Sequence, residues 1–149
     1  DGTVMQYVGD AVMAVFGAPM VQTDHAERSM RAAESMHRRQ HELNSRWLSS
    51  GLEAFGLGIG LSTGDVAAAL LGSEERLEYT VVGDTVNLAQ RLQDLARPSG
   101  VTVISSATMA LLHDAPAADA LPSQQVKGRD TPIQAYRIVH QPLQQEEQA

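Results

Sequence analysis

The chain has no cysteine, few aromatic residues and no long apolar run. Without cysteine there is no disulfide framework and no thiolate zinc site. Without a run of about 18 apolar residues no segment reads as a membrane-spanning helix. No secretory signal is legible at the start. Positive charge is also short: 11 Lys and Arg stand against 18 Asp and Glu, a net charge of -7. No basic stripe is available to neutralise a polyphosphate backbone, which argues against nonspecific nucleic-acid binding. A single nucleotide needs only one or two well-placed cations and stays open.

What is present is ordinary globular material. The 149 residues suffice for one domain with its own core. Residues 3–8 and 11–16 alternate as two short strands around Gly9-Asp10, a hairpin corner. Asp24 and Glu27 have capping-box spacing and open a helix over residues 25–49. Met30, Ala33, Met36, Leu43 and Trp47 form its apolar stripe, and Gly51 stops it. Residues 57–63 and 65–71 read as strands, with Gly58 and Gly60 marking close backbone approach or packing under a helix. Residues 72–78 read as a polar excursion, 79–82 as a strand and 85–96 as a helix with Asp84 at its N-cap. A strand over 101–104, a short helix capped by Ser105, a loop rich in Ala, Pro and Asp, and a strand over 133–139 complete the order. Hairpins mixed with crossovers predict an α+β fold: a mostly antiparallel sheet with helices packed on it. The polar residues 141–149 are expected to be a disordered tail.

Chemistry concentrates in three places. Asp10 stands at a hairpin tip. Asn87 and Arg91 are four apart in one helix and project from one face. Lys127 precedes Gly128 in a loop. An amide beside a guanidinium suits a sugar oxygen and a phosphoryl group. Each residue taken singly has a plainer reading: Asp10 as a turn former, Asn87 as a helix brace, Arg91 as a solvated cation, Lys127 as a loop residue. His37 and His41, also four apart, lack a third ligand nearby in sequence and read as an exposed helix face. Glu74, Glu75 and Arg76 read as a solvated loop.

Together, "YVGDAVMAVFGAP", "GIGLSTGDV", "GSEERLEYTVVGDTVNLAQRL" and "VKGRDTPIQAYRI" resemble the catalytic domain of class III adenylate and guanylate cyclases, in that family's order and spacing. The resemblance implies the ferredoxin-like nucleotide cyclase fold over residues 1–140, lacking its first strand and helices. It implies conversion of ATP to 3′,5′-cyclic AMP and pyrophosphate at the interface of a homodimer with composite active sites. Mg²⁺ or Mn²⁺ is the implied cofactor, two ions in the intact domain, with Asp10 as one metal ligand. Asn87 would orient the ribose, Arg91 would stabilise charge on the α-phosphate, and Lys127 would hold the terminal phosphates. Gln6 and Thr80 fall at the two positions that read the purine base. Thr80 fits adenine-type variants, while Gln6 can donate and accept and fits either purine.

This chain departs from the pattern in three respects, the first being Gln6, where adenylate cyclases typically carry Lys and guanylate cyclases Glu. The segment resembling Phe-x-Asp-Ile-x-Gly-Phe-Thr, with the first metal aspartate, is absent, so the fragment alone is expected to be inactive. Ala69 and Leu70 stand where many relatives carry Gly-Asn. The competing expectations are a guanylate cyclase with GTP as substrate, and a cyclase-homology module that dimerises and regulates without catalysis. A diguanylate cyclase is disfavoured, because Ala11 follows Gly9-Asp10 where that family needs an acidic continuation. The implied setting is cytoplasmic signal transduction, with membrane contact only through segments outside this chain.

Overall fold

The computed structural model describes residues 1–125 and 130–139. β1 (Thr3–Val8) and β2 (Ala11–Val15) pair antiparallel, and the Val8–Ala11 register makes Gly9-Asp10 a two-residue corner. Gly9 has φ +60°, the left-handed conformation that glycine adopts without a steric penalty. The register shifts between Val4 and Gln6, so β1 carries a bulge that strengthens its twist.

α1 (His25–Ser49) follows, burying Ala26, Met30 and Ala33 along one stripe. Its start corrects the expected capping box. Asp24 makes no side-chain cap bond, and its carboxylate instead accepts from Arg28 Nε at 2.6 Å. Glu27 turns to His113. An Arg one turn along offers a charge-assisted bond that competes with the backbone amide.

The central sheet has four strands in the order β3-β6-β8-β7. β3 (Ile59–Leu61) runs parallel to β6 (Thr102–Ser105), while β8 (Ala135–Ile138) pairs antiparallel with both β6 and β7 (Ala118–Ala120). Val103 and Ile104 are both buried and point to opposite faces, as successive strand residues must. Val103 and Ala135 pack with Leu88, Leu92 and Ala96 of α2 (Asp84–Ala96). Ile104 and Ile138 pack with Met30 of α1, joined by Leu61 and Met109. Helices therefore cover both faces, and the α+β reading holds.

Gly58 and Gly60 behave as their spacing predicts. A Cβ on Gly60 would lie 2.3 Å from both the Ala89 carbonyl oxygen and the Gln93 nitrogen, so α2 sits directly on bare backbone. Ser105 caps α3 (Ser106–Ala110) as expected, its hydroxyl accepting from the Thr108 N–H at 3.2 Å.

Other boundaries move. Residues 72–78 are mostly strand: β4 (Ala67–Ser73) and β5 (Arg76–Val82) pair out to Ser73 and Arg76. This hairpin end is exposed on both faces, so it needs no apolar alternation and its charges resemble a loop in sequence. β7 falls within the Ala, Pro and Asp loop, where pairing with β8 overrides low strand propensity. Asp84 is the first residue of α2, with Gly83 at the N-cap, because only glycine takes φ +142° there without strain. His37 is half-buried and bonded to the Thr102 hydroxyl at 2.9 Å, which corrects its reading as part of an exposed face; His41 is exposed.

Candidate active site

β5 buries Val81 next to its last residue, Val82, and leads directly through Gly83 into α2. Burial of Leu88, Leu92 and Ala96 turns that face of α2 to the sheet. Asn87 and Arg91 each lie one residue before a buried leucine, and both are exposed. The sequence-predicted amide and guanidinium thus share one solvent-facing stripe, one helical turn apart.

Arg91 lines a cleft of about 170 Å³ together with Leu88, Leu95, Leu121, Gln124 and Ile133. Most of the lining is apolar, with the Asp94 carboxylate the one acidic group beside Arg91. Gln124 and Ile133 bond to each other through backbone N–H and carbonyl groups at 3.1 and 2.8 Å and close the end of the cleft. Lys127 lies outside the described residues. These apolar walls did not figure in the sequence reading, although the spacing of Leu88, Leu92 and Leu95 is the signal that would have found them.

Thr80 lies on β5 opposite Ala69 and is half-buried. Gln6 lies on β1 opposite Met13 and is exposed. β1 rests against β5, so the strands of the two predicted base-reading residues are neighbours. Asp10 is exposed at the tip of the first hairpin. The described residues fit one ligand of a divalent ion there and not its whole shell. They contain no group of three His, Cys, Asp or Glu side chains placed to hold a metal.

The perturbed titrations lie elsewhere, at the start of α1. The hydrogen bond from Arg28 holds the Asp24 carboxyl below its ordinary value. His113, by side-chain and backbone bonds, lowers Glu27, and Glu27 in turn raises His113. The Glu27–His113 pair ties α1 to the segment after α3.

The family model for the adenylate and guanylate cyclase catalytic domain matches residues 3–140. The chain belongs to this family. Adenylate cyclase 1 of Rhizobium meliloti is 38% identical over 140 residues, which cover 93% of this chain and 21% of that protein. The crystal structure of the guanylyl cyclase Cya2 is 32% identical with a TM-score of 0.83, over 96% of this chain and 73% of that one. The adenylyl cyclase CyaB from P. aeruginosa is 30% identical with a TM-score of 0.84, over 95% of this chain and 74% of that one. This cyclase domain therefore spans about a fifth of the length of the curated relative. Adenylyl and guanylyl cyclases both stand among its relatives, which makes it a purine nucleotide cyclase domain by family. No helix among the described residues is long and apolar enough to cross a membrane.

Proposed function

We propose that the domain cyclises a purine nucleoside triphosphate, with ATP as substrate and cyclic AMP as product. One observation carries the reading: Asn87 and Arg91 stand exposed on one stripe of α2, directly after the strand that bears Thr80. In the reaction the ribose 3′ oxygen attacks the α-phosphorus. The bond to the bridging oxygen breaks, pyrophosphate leaves and the hydroxyl proton is lost. Negative charge builds on the α-phosphoryl oxygens as the new bond forms.

Arg91 is the group to meet that charge, since a guanidinium already standing at the cleft offers its donors where the charge develops. Asn87, with both a donor and an acceptor, holds the ribose. Lys127 holds the terminal phosphates, and Gln6 with Thr80 reads the base edge. Asp10 is one ligand of a Mg²⁺ or Mn²⁺ ion, a hard cation that takes carboxylate and phosphate oxygens. Bound there, the ion supplies phosphate charge neutralisation and an acidified hydroxyl. The assembly is a homodimer with composite sites. The exposure of Tyr7 at 76%, Leu70 at 66% and Leu77 at 62% on the two hairpins supports burial against a second copy.

A second reading, a regulatory module that dimerises without catalysis, draws on the single carboxylate at the hairpin tip. The deciding assay supplies Mn²⁺ with ATP, and separately with GTP, to the full-length protein and separates the products by chromatography. Cyclic AMP from ATP supports the proposal. Cyclic GMP alone makes the protein a guanylate cyclase. A folded dimer that forms neither is the regulatory module.

A further inference from the structure

Helix α2 is seated on Gly60 at mid-length, and burial of Leu88, Leu92 and Ala96 sets which face meets the sheet, but neither contact reaches its first turn. Its start is fixed differently. The Thr85 hydroxyl donates to the Asp65 carbonyl at 2.9 Å, bridging the first turn of α2 to the loop between β3 and β4. The loop is shaped to admit that hydroxyl: a Cβ on Gly64 would lie 2.6 Å from Thr85 Oγ1. On the far side a Cβ on Gly83 would meet the Asp65 carbonyl oxygen at 3.7 Å and Val66 at 3.8 Å, so the two Gly-Asp turns nest together.

The loop is itself anchored. Thr63, one residue before Gly64, bonds through its hydroxyl to Thr108 at 2.8 Å. Thr108 is fully buried and also bonds to the Ser105 hydroxyl at 3.0 Å and the Leu61 carbonyl at 3.4 Å. A hydroxyl relay of Ser105, Thr108 and Thr63 thus pins the end of β3 to β6 and α3, and Thr85 passes that rigidity to the start of α2. Two and six residues further on stand Asn87 and Arg91. A one-residue rotation turns a helix through about 100°, and a displacement of about 1 Å at a reacting centre costs on the order of a hundredfold in rate.

We infer that Thr85, through its bond to Asp65, is a positioning residue that sets the rotation and axial register of Asn87 and Arg91 in the cyclisation reaction. The inference rests on the cyclase reading above. Thr85 touches no substrate group in this scheme. Its effect runs through the helix start, where the Val86 N–H and Asn87 N–H both donate to the Gly83 carbonyl, at 3.1 and 3.3 Å.

The test uses the full-length protein carrying Thr85→Val, which keeps the branched shape and removes the hydroxyl, and Thr85→Ser, which keeps the hydroxyl. Amide hydrogen exchange at Val86 and Asn87 is measured beside steady-state cyclisation of ATP with Mn²⁺. In Thr85→Val, exchange at both amides should rise about tenfold, as expected for loss of one hydrogen bond at a helix end. Turnover should fall about tenfold or more while KM moves less than about twofold, the pattern of an interaction lost only in the transition state. Thr85→Ser should restore both. If Thr85→Val does not fold, Gly64→Ala, which crowds the same hydroxyl, should give the same signature. Unchanged exchange overturns the inference whatever the activity does. Raised exchange with unchanged turnover, or a change confined to KM, also overturns it. A wild-type protein that forms no cyclic product overturns the cyclase reading and the catalytic half of this one, and the exchange data still decide whether Thr85 holds the helix.

Discussion

Substituting Gly60 by alanine puts the packing of α2 on β3 to a quantitative test. The new Cβ would lie 2.3 Å from the Ala89 carbonyl oxygen and the Gln93 nitrogen, and 2.9 Å from the Leu92 carbonyl carbon. All three are helix backbone, so no side chain can swing aside. Reaching an ordinary contact requires α2 to move out by about 1 Å, and a gap of that size forfeits a quarter to a half of each dispersion contact on the helix's buried face. Leu88, Leu92 and Ala96 all stand on that face. Overpacking of this kind typically costs about 1–3 kcal/mol, and the loosened leucines place Gly60→Ala at the top of that range, about 3 kcal/mol. At about 2–4 °C per kcal/mol for a domain of this size, Tm should fall by about 6–12 °C. Gly51→Ala is the control. Gly51 has φ +76° and nothing within 4 Å of its would-be Cβ, so that variant carries only the left-handed penalty, about 1–2 kcal/mol. Thermal unfolding by circular dichroism compares the three proteins. A Gly60→Ala protein within about 2 °C of wild type, or more stable than Gly51→Ala, would refute the claim that backbone contact seats α2.

Arg91→Ala should lower turnover about 10²–10³-fold with little change in KM, as for loss of one transition-state charge partner; a rise in KM alone, measured by steady-state kinetics, contradicts its assigned role. Thr108→Val should cost about 1–3 kcal/mol, because it strips partners from buried Ser105 and half-buried Thr63, and urea unfolding reads the loss. The Glu27–His113 pair should leave a pH signature. His113 is raised from its ordinary 6.5, so its contribution is complete below that pH and disappears as pH rises through the raised value. Glu27 is lowered from 4.5, so its contribution is complete above that pH and disappears as pH falls through the lowered value. The Tm difference between wild type and His113→Ala should therefore be largest between about pH 4.5 and 6.5 and shrink on both sides.

How much of this was legible in sequence depended on whether local chemistry or distant partners decided the outcome. The hairpin corner at Gly9-Asp10 and the Ser105 cap each follow from residues within a turn of one another, and both stand where the sequence places them. Gly58 and Gly60 were legible as close-approach sites because glycine inside a strand has few other uses. The identity of the approaching helix was not, since nothing near Gly60 in sequence names Ala89. The capping box failed for a related reason: Asp24 and Glu27 have the right spacing, but Arg28 and the remote His113 compete for their carboxylates.

The site divides along the same line. Asn87 and Arg91 sit on one helix, so their spacing alone puts them on one stripe, and the structure keeps them there. That the strands bearing Gln6 and Thr80 are neighbours is a tertiary fact, carried by β1 resting on β5, and the sequence reaches it only through family likeness. Thr85 marks the limit of motif reading. It lies two residues before Asn87 inside one of the family-like segments, yet its hydroxyl donates to a carbonyl 20 residues back in the chain. Spacing within α2 can nominate the residues that would touch a nucleotide, but the groups that aim them are found only once the fold shows where each hydroxyl ends. For that reason the hydrogen-exchange response of Val86 and Asn87 to Thr85→Val is more informative about this site than another substitution at Arg91: it tests whether the helix start is built to hold a geometry before any substrate is bound.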